Sequence, residues 1–68
     1  MRVTYDKEAD AAYIYIKYPI RRGEASKTIE VNENILLDFD KEGKLLGVEV
    51  LNARKLLSNR ILREAEQL

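Results

Sequence analysis

The sequence predicts a small α+β domain: an antiparallel β-meander of about five strands, followed by one C-terminal helix packed on one face of the sheet. Three observations carry this reading. Apolar and polar residues alternate in five short runs between residues 2 and 51. Gly, Pro, Asn and Asp punctuate those runs. Beyond residue 52 the apolar spacing lengthens from two to three or four. The 68 residues form a single domain, 1–68, and 46% of them are hydrophobic, enough for a core made mostly of Ile, Leu, Val and Ala.

Each element has its own local cause. Residues 2–5 form a short strand with Val3 and Tyr5 on one face. Asp6–Asp10 is a polar connector, and Asp6 suits the capping of backbone amides. Residues 11–18 are rich in β-formers, with Ala12, Ile14 and Ile16 facing one way and Tyr13, Tyr15 and Lys17 the other. Pro19 ends that strand, and Arg21-Arg22-Gly23 is a loop. Residues 26–32 set Ile29 and Val31 against Thr28, Glu30 and Asn32. They end at a Glu33-Asn34 turn in which Asn34 suits a left-handed backbone. Residues 35–40 set Ile35, Leu37 and Phe39 against Leu36, Asp38 and Asp40. Lys41–Lys44 is a turn with Gly43 at a positive-φ position, and residues 45–51 are the fifth strand. Ala53, Leu56, Leu57, Ile61, Ala65 and Leu68 then predict one helix near 53–67, with Asn52 as its N-cap and Ser58-Asn59 as its weak point.

The faces matter for function. Regular strands would place Leu36, Leu46, Val48 and Val50 opposite Leu37, Phe39 and Leu45, with Tyr13 and Tyr15 joining the first group. One helix covers one face, and a domain of this size buries only about 60% of its unfolded surface. A homodimer is therefore expected, with Tyr13, Tyr15, Leu36, Leu46, Val48 and Val50 as its interface. The alternative is a strongly coiled sheet that closes on itself.

Composition excludes several activities. The chain has no His and no Cys, so it offers no imidazole or thiolate for catalysis or metal binding and no disulfide. No catalytic residue and no cofactor is expected, and the chain reads as non-enzymatic. Twelve basic side chains balance twelve acidic ones, so no segment concentrates the positive charge that nucleic acid requires. Arg21-Arg22 and the outward Arg54, Lys55, Arg60 and Arg63 read as solvated charge. No apolar run approaches the ~20 residues of a membrane span, and no signal peptide is visible, which points to a cytoplasmic location.

The carboxylates leave one chemical alternative. Asp6, Glu8 and Asp10 would share a face if extended and suit a hard cation; in a turn they cap amides. Asp38 to Glu49 has acids at the first, third and fifth positions, Gly43 at the sixth and Glu49 at the twelfth, as in an EF-hand loop. Its flanks read as strands, however, and a hairpin explains the same letters. If the connector folded against this hairpin, Asp6, Glu8, Asp10, Asp38, Asp40 and Glu49 would converge on a divalent metal.

Two stretches also look familiar. Tyr5-Asp6-x-Glu8-Ala9-Asp10-Ala11-x-Tyr13-Ile14 and Ile35-x-x-Asp38-x-Asp40-x-x-Gly43-x-x-x-Gly47-x-Glu49-x-Leu51 resemble the signatures of short prokaryotic proteins catalogued as domain of unknown function 2283. The resemblance covers roughly residues 3–57, and Thr28-Ile29-Glu30 fits its middle strand. Many members carry a short Ala-Ser ending after the last strand, where this chain has Asn52-Ala53-Arg54 and a longer helix. The resemblance implies a compact fold with no established reaction. Its genes often neighbour those of small toxins, which implies an antitoxin-like role with a toxin-like protein partner. It also implies that Asp6 and Asp10 organise the connector, that Gly43 serves the turn, that Gly47 serves a bulge or close approach, and that Asp38, Asp40 and Glu49 sit on a partly exposed face. The sequence thus reads as a cytoplasmic, non-enzymatic interaction module, with a divalent-metal-binding protein as the alternative.

Overall fold

A computed structural model describes all 68 residues. The chain runs β1 (Arg2–Asp6), β2 (Ala11–Tyr15), β3 (Lys27–Asn32), β4 (Ile35–Phe39), β5 (Leu45–Leu51), α1 (Ala53–Leu56), α2 (Asn59–Glu64) and β6 (Glu66–Gln67). The α+β class holds. The strands form one six-stranded sheet in the order β3-β4-β5-β2-β1-β6. The order departs from the expected simple meander: β2 pairs with β5, not β3. β3, β4 and β5 form a meander of their own, and residues 16–26 carry the chain from the centre of the sheet to its far edge.

The sheet is also mixed. Beyond α2 the chain re-enters it as β6, parallel to β1, and the Leu68 amide donates to the Tyr5 carbonyl at 2.9 Å. The single helix expected over 53–67 is therefore two short helices and a strand. The break lies at Ser58, the weak point of the helical pattern. Ser58 is the N-cap of α2, its hydroxyl accepting from the Ile61 amide at 3.2 Å. The strand expected over 11–18 stops at Tyr15, because the Ile16 and Lys17 amides both donate to the Leu46 carbonyl and break the ladder. Asn34 is not left-handed. Instead Asn32 Oδ1 accepts from the amides of Asn34 (2.8 Å) and Ile35 (3.0 Å) and closes that turn. Gly43 does take a positive φ, 85°.

The core lies between the helices and one half of the sheet. Tyr5 of β1, Ala12 of β2 and Val50 of β5 pack against Ala53, Leu62 and Ala65, with Val3, Ile14, Val48 and Leu57 around them. The register explains this set: Val3 pairs with Ile14, which pairs with Val48, and Tyr5 pairs with Ala12, which pairs with Val50. Directly paired residues share a face, so one row after another presents apolar groups to the helices. The half of the sheet formed by β3 and β4 is barely covered: β4 is half-buried throughout and β3 is exposed throughout.

The two helices rest on few anchors. Leu62 is 7% exposed whereas Leu56 is 44% exposed. Leu62→Ala is expected to cost about 2–4 kcal/mol and Leu56→Ala under about 1 kcal/mol. Urea unfolding of the two variants measures the difference, and equal losses would contradict this placement of the core.

Candidate functional site

The register of β2 on β5 builds a polar and aromatic network across the open face of the sheet. Tyr13 lies opposite Glu49, and Tyr15 opposite Gly47. The Tyr13 ring leans over Gly47 so closely that a Cβ added there would lie 2.4 Å from the Tyr13 hydroxyl oxygen. Only a residue without a side chain leaves that space open. The hydroxyl crosses β5 and donates to Asp38 Oδ2 on β4 at 2.7 Å, while Asp38 Oδ1 accepts from Thr28 Oγ1 on β3 at 2.6 Å. Tyr13, Gly47, Asp38 and Thr28 thus span β2, β5, β4 and β3 in one transverse line. Burial, reinforced by the hydrogen bond to Asp38 and the charge beside it, pushes the Tyr13 phenol far above its ordinary range. It stays a neutral donor and is not suited to proton transfer near neutrality.

Aromatic contacts extend the line towards β1. Tyr15 meets Tyr13 edge-on at 4.7 Å between ring centroids, and Tyr18 meets Tyr15 edge-on at 5.1 Å. The Arg2 guanidinium carbon lies 4.2 Å from the centre of the Tyr18 ring. Arg2 also pairs with Glu66 of β6. The result is a ladder Arg2–Tyr18–Tyr15–Tyr13–Asp38–Thr28 on a face with no covering element.

The expected interface set divides between the two faces. Leu36 lies opposite Glu49, which lies opposite Tyr13, so Leu36, Tyr13 and Tyr15 share the open face. Val48 and Val50 pair with Leu37 and Ile35 on β4 and with Ile14 and Ala12 on β2, on the helix-bearing face. Leu46 is buried at 2% exposure, where the register of β4 on β5 shifts between Asp38 and Phe39. That bulge offsets Leu45 and Leu46, so faces counted by alternation from Leu46 onwards do not match those of β4.

The carboxylates do not converge, and no three acidic groups lie close enough to hold a metal ion. The first cluster follows β1 and the Asp40–Lys44 turn precedes β5, at opposite ends of a strand that rises roughly 3.3 Å per residue. The aspartates have local duties. Asp6 Oδ1 accepts from the Glu8 and Ala9 amides at 3.1 and 3.2 Å. Asp40 Oδ1 accepts from the Glu42 and Lys44 amides, both at 2.9 Å, in a hairpin rather than an EF-hand. Glu8 is exposed and Glu49 half-buried beside Tyr13.

Asp10 does more than shape the connector. It adopts φ 53°, and its Oδ1 accepts from the Tyr5 hydroxyl (2.8 Å) and the Arg54 amide (3.0 Å), while its carbonyl accepts from the Ala53 amide (3.0 Å). Asp10 therefore caps α1 from a distant part of the chain. Asn52 holds the N-cap position of α1 as expected, but at φ 54° it makes no side-chain cap and instead donates from Nδ2 to Asn34 Oδ1 at 2.8 Å. The Tyr5 hydroxyl, with the Arg54 amide and charge, holds the Asp10 carboxyl below its usual range. Beside this joint Lys7, Arg54 and Arg63 line a shallow cavity of about 260 Å³ together with Tyr5, Asn59, Leu62 and Gln67. Periodicity alone did not place these three cations together.

Comparison with known proteins adds a family and no reaction. The family described as "Protein of unknown function (DUF2283)" matches residues 2–54. The chain is 36% identical over 58 residues to the uncharacterized protein MJ0789 of Methanocaldococcus jannaschii, covering 85% of this chain and 46% of that protein. It is 40% identical over 48 residues to the uncharacterized protein YuzE of Bacillus subtilis, covering 69% of this chain and 37% of that protein. The chain thus spans less than half the length of these curated relatives. No solved structure matches it.

Two outcomes follow from the networks. Gly47→Ala is expected to lose about 1–3 kcal/mol, since the Tyr13 ring must shift, and Tyr13→Ala in the same chain should relieve part of that loss. A double-mutant cycle by chemical denaturation measures this coupling, and strict additivity would contradict the close approach. Asp10 has a depressed carboxyl in the folded chain. Its contribution is therefore complete above its unfolded value and is lost as pH falls through the lower folded value. Asp10→Asn, which tolerates the same backbone, should flatten that acid-side fall in thermal stability; an unchanged slope would contradict it.

Proposed function

The chain belongs to the DUF2283 family, and we propose that it is a non-enzymatic protein-interaction module that works through its open sheet face. The observation that supports this most is the ladder of Arg2, Tyr18, Tyr15 and Tyr13. Tyr and Arg dominate the energetics of many protein interfaces, because each carries a large contact area with a polar tip. Tyr and its neighbours are partly held by one another here, so a partner would order few extra rotamers on binding. Tyr18 is 55% exposed and Tyr15 half-buried, which leaves their rings accessible.

The partner is proposed to be a small protein in the same cytoplasmic compartment. The family's neighbourhood with genes for small toxins makes a toxin-like protein the first one to assay. The module is also proposed to form a homodimer. No helix is long and apolar enough to cross a membrane. Absence of His and Cys from the sequence is consistent with binding rather than catalysis.

The test is copurification of the tagged chain with the product of its neighbouring gene. Tyr15→Ser with Tyr18→Ser should abolish the complex while leaving the circular-dichroism spectrum unchanged. Binding that survives these changes would overturn the assignment of the ladder.

A further inference from the structure

The bare half of the sheet ends at β3, a strand with nothing beyond it. All six residues Lys27–Asn32 are exposed, and Ile29 and Val31 are 40% and 56% exposed. The register shift between β3 and β4 falls between Glu30 and Asn32, so Lys27–Glu30 keep a regular ladder with β4. Their outer edge is unpaired and carries no Pro, and its charges are of opposite sign, Lys27 at one end and Glu30 at the other.

The size of the surface indicates how much is left uncovered. A compact monomer of 7.9 kDa exposes about 4,400 Å². This chain exposes 5094 Å², and only 9 of its 68 residues are buried. Its radius of gyration is 11.8 Å, against about 11 Å for a compact domain of this length. Ile29 and Val31 of β3 contribute to this excess, alongside Met1, Leu56, Ile61 and Leu68 elsewhere on the surface.

We propose that β3 pairs edge to edge with β3 of a second copy, antiparallel about a two-fold axis, continuing the sheet from one protomer into its partner. This rests on the reading of the chain as an interaction module and names one of its partners: itself. A two-fold axis normal to the sheet keeps the same faces on the same side, and it must pass through a residue position. Centring on Glu30 would set Glu30 against its own copy, like charge against like. Centring on Thr28 would set Lys27 against Ile29. Centring on Ile29 sets Ile29 against Ile29 and Thr28 against Glu30, and leaves Lys27 opposite Val31 at the bulged end of the strand. It also extends the apolar row Val48–Leu37–Ile29 across the axis, because Ile29 pairs with Leu37 and Leu37 with Val48. That register avoids like charges and joins the uncovered apolar rows of both copies.

The chain has no cysteine, so a single introduced thiol reports without background. Directly opposed residues in an antiparallel pair have Cα atoms about 4.5–5.5 Å apart, inside the span that a disulfide bridges. Ile29→Cys in the full chain is expected to oxidise to a covalent dimer, while Lys55→Cys on the exposed surface of α1 stays monomeric under the same oxidant. Sedimentation equilibrium of the unmodified chain is run beside it and should give twice the chain mass. A dimer in sedimentation with no preferential cross-linking of Ile29→Cys would overturn the β3 edge but leave the module reading standing. A monomer at every concentration would overturn self-pairing altogether, and the separate copurification assay then decides the module reading alone.

Discussion

The pairing of β2 with β5 is the constraint on which the other features depend. It joins the β1–β2 hairpin to the β3–β4–β5 meander, two units that are separate along the chain. At one end of this pair, Ala11 against Leu51 brings Asp10 to the start of α1, where it supplies the cap. At the other end, Tyr15 against Gly47 leaves Tyr13 to lean over Gly47 and reach Asp38. A slip of one residue would put Ala12 and Ile14 on the opposite face from Val48 and Val50 and destroy both networks together. The apolar rows on one face and the tyrosine line on the other therefore enforce one register.

The helices depend on that register more than on themselves. Segments of four and six residues lie far below the length at which a helix is stable alone. Their termini are satisfied from elsewhere: Asp10 at the start of α1, Ser58 at the start of α2, and the Gln67 side chain, which donates to the Leu62 and Ala65 carbonyls at 2.9 and 3.0 Å. Such short helices cover β1, β2 and β5 and reach no further. The sheet is thus divided into a half that the helices cover and a half, β3 and β4, that they do not. The open face carries the rings of Tyr13 and Tyr15, with the Tyr13 phenol held as a hydrogen-bond donor to Asp38.

Local chemistry made much of this legible in the sequence. The five main strands, the turn role of Gly43, the capping role of Asp6 and the interruption at Ser58 all arise from neighbouring residues, and alternation or capping preference reports them. Gly47 was legible as a bulge or close approach, though not the ring that fills its space. Long-range pairing was not legible. The strand order depends on which apolar rows meet, and β2 and β5 carry rows that resemble those of their neighbours. Asn52 is legible as the N-cap residue of α1, but the side-chain oxygen that serves the helix amide comes from Asp10, far along the chain, and local pattern does not report it. The faces of Val48 and Val50 depend on a bulge at Leu45–Leu46, which shifts alternation by one without leaving a mark in hydropathy. The two-residue strand Glu66–Gln67 exists only because the edge of β1 is there to pair with it.

The division between a covered and a bare half is tested most directly by amide hydrogen exchange at low and high protein concentration. The amides of β2 and β5, central in the sheet and beneath the helices, should exchange slowly at both concentrations. Those on the outer edge of β3 should exchange quickly when dilute and slowly when concentrated, as a second copy covers them. Exchange along β3 that is equally fast at both concentrations would contradict the proposed pairing of β3 with a second copy.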